Sequence, residues 1–133
     1  YHVGVCTNTL CAVMGGDAIF DALKDHLGVE NDEVTSDGKV SVEHIECNAA
    51  CDYAPVVMVN WEFYDNQTVQ SVKDLVDGAR TGNPPAPTRG PKTLRTWKQN
   101  SAVLAGISDG LANEGVQAGE ATLLGLKKAK GGN

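Results

Sequence analysis

The chain has 133 residues, 41% of them apolar and 21% charged, with a formal net charge of −6. That length holds one domain with a tail, and the composition excludes a disordered chain. No apolar run approaches the roughly 20 residues that cross a bilayer, and an acidic surface excludes nucleic acid as the main partner. The charge is split, however: residues 1–83 carry 4 basic and 14 acidic side chains, and residues 84–133 carry 7 basic and 3 acidic. The first residue is Tyr1 rather than Met, with no signal-peptide pattern, so we expect the chain to be part of a longer protein.

In chain order, His2–Val5 read as a short strand running into Cys6. Residues 7–15 read as a loop or the start of a helix and contain Cys11. From Asp17 to Leu27 the apolar side chains Ile19, Phe20, Ala22, Leu23 and Leu27 make one helical face, stopped by Gly28. Residues 29–39 are acidic and end on the turn signal Asp37-Gly38. Val40–Glu46 alternate with period 2, the pattern of a strand with one buried face, and lead into Cys47. Val56–Val59 suit a central strand, Trp61–Tyr64 its hairpin partner, and Val69–Ala79 a second amphipathic helix. The expected class is therefore α/β in the order β-α-β-β-β-α over residues 1–83.

A breaker cluster, Gly82–Pro87, starts a basic, Pro/Gly-rich extension over 84–133, in which only Val103–Leu111 suggest a helix. The extension reads as an extended docking arm, anchored on a partner by Arg89, Lys92, Arg95, Trp97 and Lys98. Gly90–Thr93 echo the end of a phosphate-binding loop, but Pro85 stands where the first glycine belongs and no strand precedes it. Asn66-Gln67-Thr68 matches a glycosylation sequon without secretory context.

Chemistry concentrates in Cys6, Cys11, Cys47 and Cys51, spaced C-x4-C, then 35 residues, then C-x3-C. Both pairs follow a strand, so adjacent strand ends would bring them to one edge. Scattered buried cysteines would not form two such doublets. Disulfides suit small secreted domains with poor cores. Zinc knuckles and thioredoxin-type dithiols use C-x2-C, which is absent, although a structural zinc site remains the serious rival. Four thiolates in two pairs suit a [2Fe–2S] cluster, but not the plant-ferredoxin spacing, in which one loop supplies three ligands.

Two segments, Cys6-Thr7-x2-Leu10-Cys11 and Glu46-Cys47-x2-Ala50-Cys51-Asp52-x-Ala54-Pro55, resemble the thioredoxin-like [2Fe–2S] ferredoxin family. Within that family the resemblance is to the small iron–sulfur subunits of bacterial NADH:quinone oxidoreductase, respiratory complex I. It extends to Gly15-Gly16 and to Val57–Asn60, and runs from about Tyr1 to Arg80. It implies a thioredoxin-like fold in which Cys6, Cys11, Cys47 and Cys51 hold one [2Fe–2S] cluster. It also implies an electron-transfer role beside a subunit that binds FMN and NADH, among other peripheral-arm subunits on the cytoplasmic side of the inner membrane. Members of the family usually carry a helical segment before the first strand, which this sequence does not show.

Related modules serve NAD-dependent hydrogenases and formate dehydrogenases, and a zinc-stabilised interaction module is the alternative from another class. Backbone N–H groups around Thr7–Leu10 and Asn48–Ala50 are the expected donors to the cluster. Asp52 and Glu46 read as solvated loop carboxylates. His2, His26 and His44 read as surface or helix-face residues, and Trp61 and Tyr64 as hairpin packing. Pro55 reads equally as a cis proline or as a trans proline at a strand start.

Overall fold

A computed structural model describes residues 1–132. Five strands, β1 (His2–Cys6), β2 (Glu33–Val34), β3 (Ser41–Ile45), β4 (Val57–Val59) and β5 (Glu62–Tyr64), form one mixed sheet in the order β2-β3-β1-β4-β5. β1 runs parallel to β3 and antiparallel to β4, with Val3 opposite both Val42 and Val59. The strands are rich in β-branched residues, which suit a pleated, packed surface.

Two helices cover one face of the sheet: α2 (Gly16–Leu27) and α3 (Val69–Thr81), which also pack on each other. They contribute Ile19, Leu23, Val72, Leu75 and Val76 to a core shared with Val3, Val5, Val40, Val42, Val57, Val59 and Tyr64. Each large side chain removed from water there contributes about 1.5–3 kcal/mol. Thr68 and Ser71 form a reciprocal capping box at the start of α3. Gly28 ends α2 in the left-handed conformation.

The expected elements are present, joined before residue 83 by a helix in the first cysteine loop, by β2 and by a 3-10 turn at Cys51–Tyr53. A short helix, α1 (Thr9–Val13), occupies the first cysteine loop, capped by the Asn8 side chain. The two-residue strand β2 forms within the acidic segment 29–39, for which only the closing Asp37-Gly38 turn was expected, because Glu33 and Val34 pair with Val42 and Ser41. Between β4 and β5 the turn falls at Asn60 and Trp61, both with positive φ. The Ala54–Pro55 peptide is cis.

The extension differs more from expectation. It forms α4 (Trp97–Leu104), a single 3-10 turn (Leu111–Asn113) and α5 (Glu120–Ala129). Thr96 and Gln99 make a second capping box, which starts α4 six residues before the segment expected to be helical. Of the five expected partner anchors, two arginines are turned inward instead. Arg95 donates to Glu62 at 3.0 Å and to Asp109 at 2.6 and 2.7 Å, and its side chain is only 5% exposed. The Arg89 guanidinium lies 4.0 Å above the Phe63 ring and donates to Asp65 at 2.8 Å. Glu62 and Asp65 of the acidic body and Asp109 of the extension thus supply carboxylates to these cations within the same chain. Trp97 stays half exposed beside Trp61 and His2, and Lys92 and Lys98 are exposed.

Candidate functional site

Register alone brings the cysteine loops together. Cys6 is the last residue of β1 and pairs with Ile45, the last residue of β3. Because those strands are parallel, the chain leaves both at the same edge, into the loops carrying Cys11 and Cys47. The antiparallel β4 enters from that edge, with the 3-10 turn Cys51–Tyr53 just before it. The Cys6 N–H donates to the Val56 carbonyl at 3.1 Å, which fastens the two approaches to each other.

The four thiols form two pairs. Cys47 and Cys51 have their sulfurs 3.5 Å apart and are exposed. Cys6 and Cys11 are buried, among Ala50, Ala54 and Val56. Burial pushes the Cys11 thiol up to about 11, partly offset by a hydrogen bond from the Val56 backbone and reinforced by Cys6 beside it. The Cys51 thiol is raised first by its hydrogen bond with Cys47, and then by the charges of Cys47, Cys6 and Asp52. Cys51 also raises Cys11, so each pair feels the other across the gap. Assembling four potential anions at one edge is unfavourable unless cations share the space.

The surroundings are shaped for close approach. Ala49 holds a left-handed φ of 54° and directs its N–H at Cys47 Sγ, 3.4 Å away. A Cβ on Gly16 would lie 2.5 Å from the Cys6 carbonyl oxygen and 2.8 Å from that of Cys11. Only glycine lets α2 start against both cysteine backbones, and Gly15 before it has φ 113°.

Two residues join the loops from outside. Asn8 caps α1 through its side-chain oxygen and donates from Nδ2 to Glu46 at 2.9 Å, linking the first cysteine loop to the second. Asp52 accepts from the Thr122 hydroxyl at 2.9 Å. Both carboxylates read from sequence as solvated therefore have partners. An Asn preceding a helix is a cap signature, so Asn8 was open to discovery; its reach to Glu46 was not. The histidines lie elsewhere: His2 contacts Ser41 and Glu43, His26 contacts Asp77, and His44 contacts Thr7 at the rim of the site.

The model of the thioredoxin-like [2Fe–2S] ferredoxins matches residues 1–80, the whole region that builds this edge. The chain belongs to that family. Among curated relatives, an NADH-quinone oxidoreductase subunit of Mycobacterium tuberculosis H37Rv is 63% identical over 131 residues. That match takes in 98% of this chain, extension included, and 52% of the relative, so the chain spans about half the length of the curated relatives it matches. Two solved structures share the fold. An NAD+-reducing [NiFe]-hydrogenase aligns with a TM-score of 0.58 at 16% identity, over 62% of this chain and 15% of its own. A thioredoxin-like [2Fe–2S] ferredoxin of Aquifex aeolicus aligns with a TM-score of 0.51 at 19% identity, over 71% of this chain and 96% of its own. The fold class expected of this family is thus the fold observed.

Proposed function

We propose that Cys6, Cys11, Cys47 and Cys51 hold one [2Fe–2S] cluster, and that the chain is an electron-transfer component of an NADH:quinone oxidoreductase. The observation carrying this reading is the meeting of two thiol pairs, one buried and one exposed, at the carboxyl end of β1 and β3. Two thiol pairs on C-x4-C and C-x3-C loops, rather than C-x2-C knuckles, suit a two-iron cluster better than one zinc. The donor set fits: four thiols, a small Ala50 beside them and backbone N–H groups aimed at sulfur.

The cluster would supply one-electron transfer at this edge. Cys6 and Cys11 would hold one iron on the protein side, where Val56, Ala54 and Ala50 keep water away. Cys47 and Cys51 would hold the other at the surface, the side from which an electron is exchanged. The N–H groups of Ala49 and Val56 would stabilise the thiolates by donating to them. The chain's own part would be electron transfer, without chemistry on NADH or quinone. Those reactions would belong to partner subunits, first among them one carrying FMN and NADH, on the cytoplasmic side of the membrane. The 63% identity to subunits of NADH-quinone oxidoreductase favours that assembly over a hydrogenase. Lys92, Trp97 and Lys98 remain outward and would contribute to docking of residues 84–133.

Anaerobic purification followed by iron, sulfide and visible-absorption assays tests the reading, with low-temperature EPR after dithionite reduction. Two irons and two sulfides per chain with a reduced-state signal are expected, and Cys→Ala at any of the four positions should abolish them. A colourless chain that binds one zinc, and resists anaerobic reconstitution, would overturn it.

A further inference from the structure

The extension does more than cover its own domain: it returns to the second cysteine loop. Arg89 and Gly90 start the return. Arg89 stacks on Phe63 and also lies 5.5 Å from the Tyr53 ring centre. Gly90 exchanges backbone hydrogen bonds with Gly115 and Val116, at 2.8 and 2.9 Å, which closes residues 90–116 into a fastened loop. The chain then passes directly over Tyr53, where a Cβ on Gly119 would overlap the hydroxyl. Ala121 N–H donates to that hydroxyl at 3.2 Å, and the Thr122 hydroxyl donates to Asp52 at 2.9 Å. Asp52 and Tyr53 adjoin Cys51 and share its 3-10 turn. The turn is otherwise exposed on its cysteine side.

We propose that residues Gly119–Thr122, at the start of α5, form a clasp that positions the Cys47–Cys51 loop, with Thr122 acting through Asp52 and Ala121 through Tyr53. The clasp rests on the cluster reading only for its effect on iron; its effect on the loop stands without it. Each contact is exposed and weak alone. Together they hold the ligand loop whose two cysteines are exposed and whose buried anchor is the single residue Ala50, and a loop with few buried contacts opens locally before the domain unfolds. The clasp therefore governs how readily the outer iron is lost, not whether the domain folds.

Three variants of the full chain test this. Thr122→Val removes the hydroxyl but keeps the shape, Thr122→Ser restores it, and Gly119→Val forces the strap off Tyr53. In the cluster-free reduced chain, hydrogen exchange of residues 48–54 should accelerate about threefold in Thr122→Val and about tenfold in Gly119→Val. The core strands should be unchanged, and Thr122→Ser should match the parent. In the loaded chain, iron release to a chelator should accelerate in the same order, and the EPR g-values should shift in Gly119→Val. A loaded chain whose exchange, iron release and EPR match the parent in both Val variants would overturn the clasp and leave the cluster reading standing. Faster exchange at 48–54 in a chain that takes up no cluster would uphold the clasp's hold on the loop and overturn the cluster reading.

Discussion

Gly16 shows how tightly single residues are set around the thiols. Its missing Cβ leaves room for the carbonyl oxygens of Cys6 and Cys11, both main-chain atoms that cannot rotate away. Gly16→Ala should destabilise the chain by about 1–3 kcal/mol, as an overpacked position does, and should lower cluster yield along with the urea midpoint. Ala49 is different: its side chain is small, but its backbone places an N–H on Cys47 while holding φ at 54°. Its left-handed backbone has no signal in sequence, because Ala rarely adopts it. Asn60 is a third such case. It is fully buried at φ 50°, accepts from the His2 N–H at 2.8 Å and donates to the Arg95 carbonyl at 2.7 Å. Asn100 adds a hydrogen bond to the Asn60 carbonyl. In the sequence, Asn60 is only the last residue of the Val57–Asn60 stretch shared with the family.

Among the elements, the extension is tied to the domain by the buried Leu94 and by the ion pairs of the buried Arg95. Arg95→Ala would leave Glu62, itself poorly exposed, without its cation. The expected loss is about 2–3 kcal/mol, since a buried charge left unpaired is the expensive outcome. It should show as tryptophan fluorescence typical of water, because Trp97 follows Arg95 by two residues and packs 6.4 Å from Trp61. The same link is sensitive to acid. Hydrogen bonds from Arg95 hold the Asp109 carboxyl at about 2, below its ordinary value of 3.8. A depressed carboxyl contributes stability above its unfolded value and loses it as pH falls through the folded one. Asp109 therefore contributes fully above pH 3.8, and its contribution disappears toward pH 2. Glu62 moves the other way: burial raises it, so its protonation favours the fold and comes first on acidification. An acid titration followed by tryptophan fluorescence should show a step between pH 3.8 and about 2, and Asp109→Asn should remove it.

At the scale of the whole molecule, the site and the main core are separable. The large core between sheet and helices contains none of the four cysteines, whereas Cys6 and Cys11 belong to a smaller cluster beside it. Removing the metal should therefore leave the sheet folded while the two loops loosen. Circular dichroism of the metal-free chain should keep its native form with a lowered Tm, and hydrogen exchange should rise at residues 7–15 and 47–54 before it rises in β1 and β4. Complete unfolding on chelation would contradict this division, since it would make the metal part of the core.

Although β2 and the 3-10 turn at Cys51–Tyr53 left no signal, the β-α-β-β-β-α order up to Arg80, the buried faces of the two helices and the clustering of the four cysteines were legible in the sequence. Period-2 and helical spacing set the first, and the cysteine doublets with their flanking Asp-x-Ala-Pro set the last. Those signals are local, or repeat at short range. The sequence could not show that β1 and β3 are parallel neighbours, which is what turns two distant doublets into one site, because strand pairing is decided by packing across the whole sheet. Nor could it show where the basic extension goes. Its charge suggested a partner, but the carboxylates of Glu62, Asp65 and Asp109 lie within reach once the chain has folded. Arg89, Arg95, Tyr53 and Thr122 find their contacts across 14 to 70 residues of chain. Contacts at that separation leave no periodicity to read; they exist only when the sheet has placed both ends.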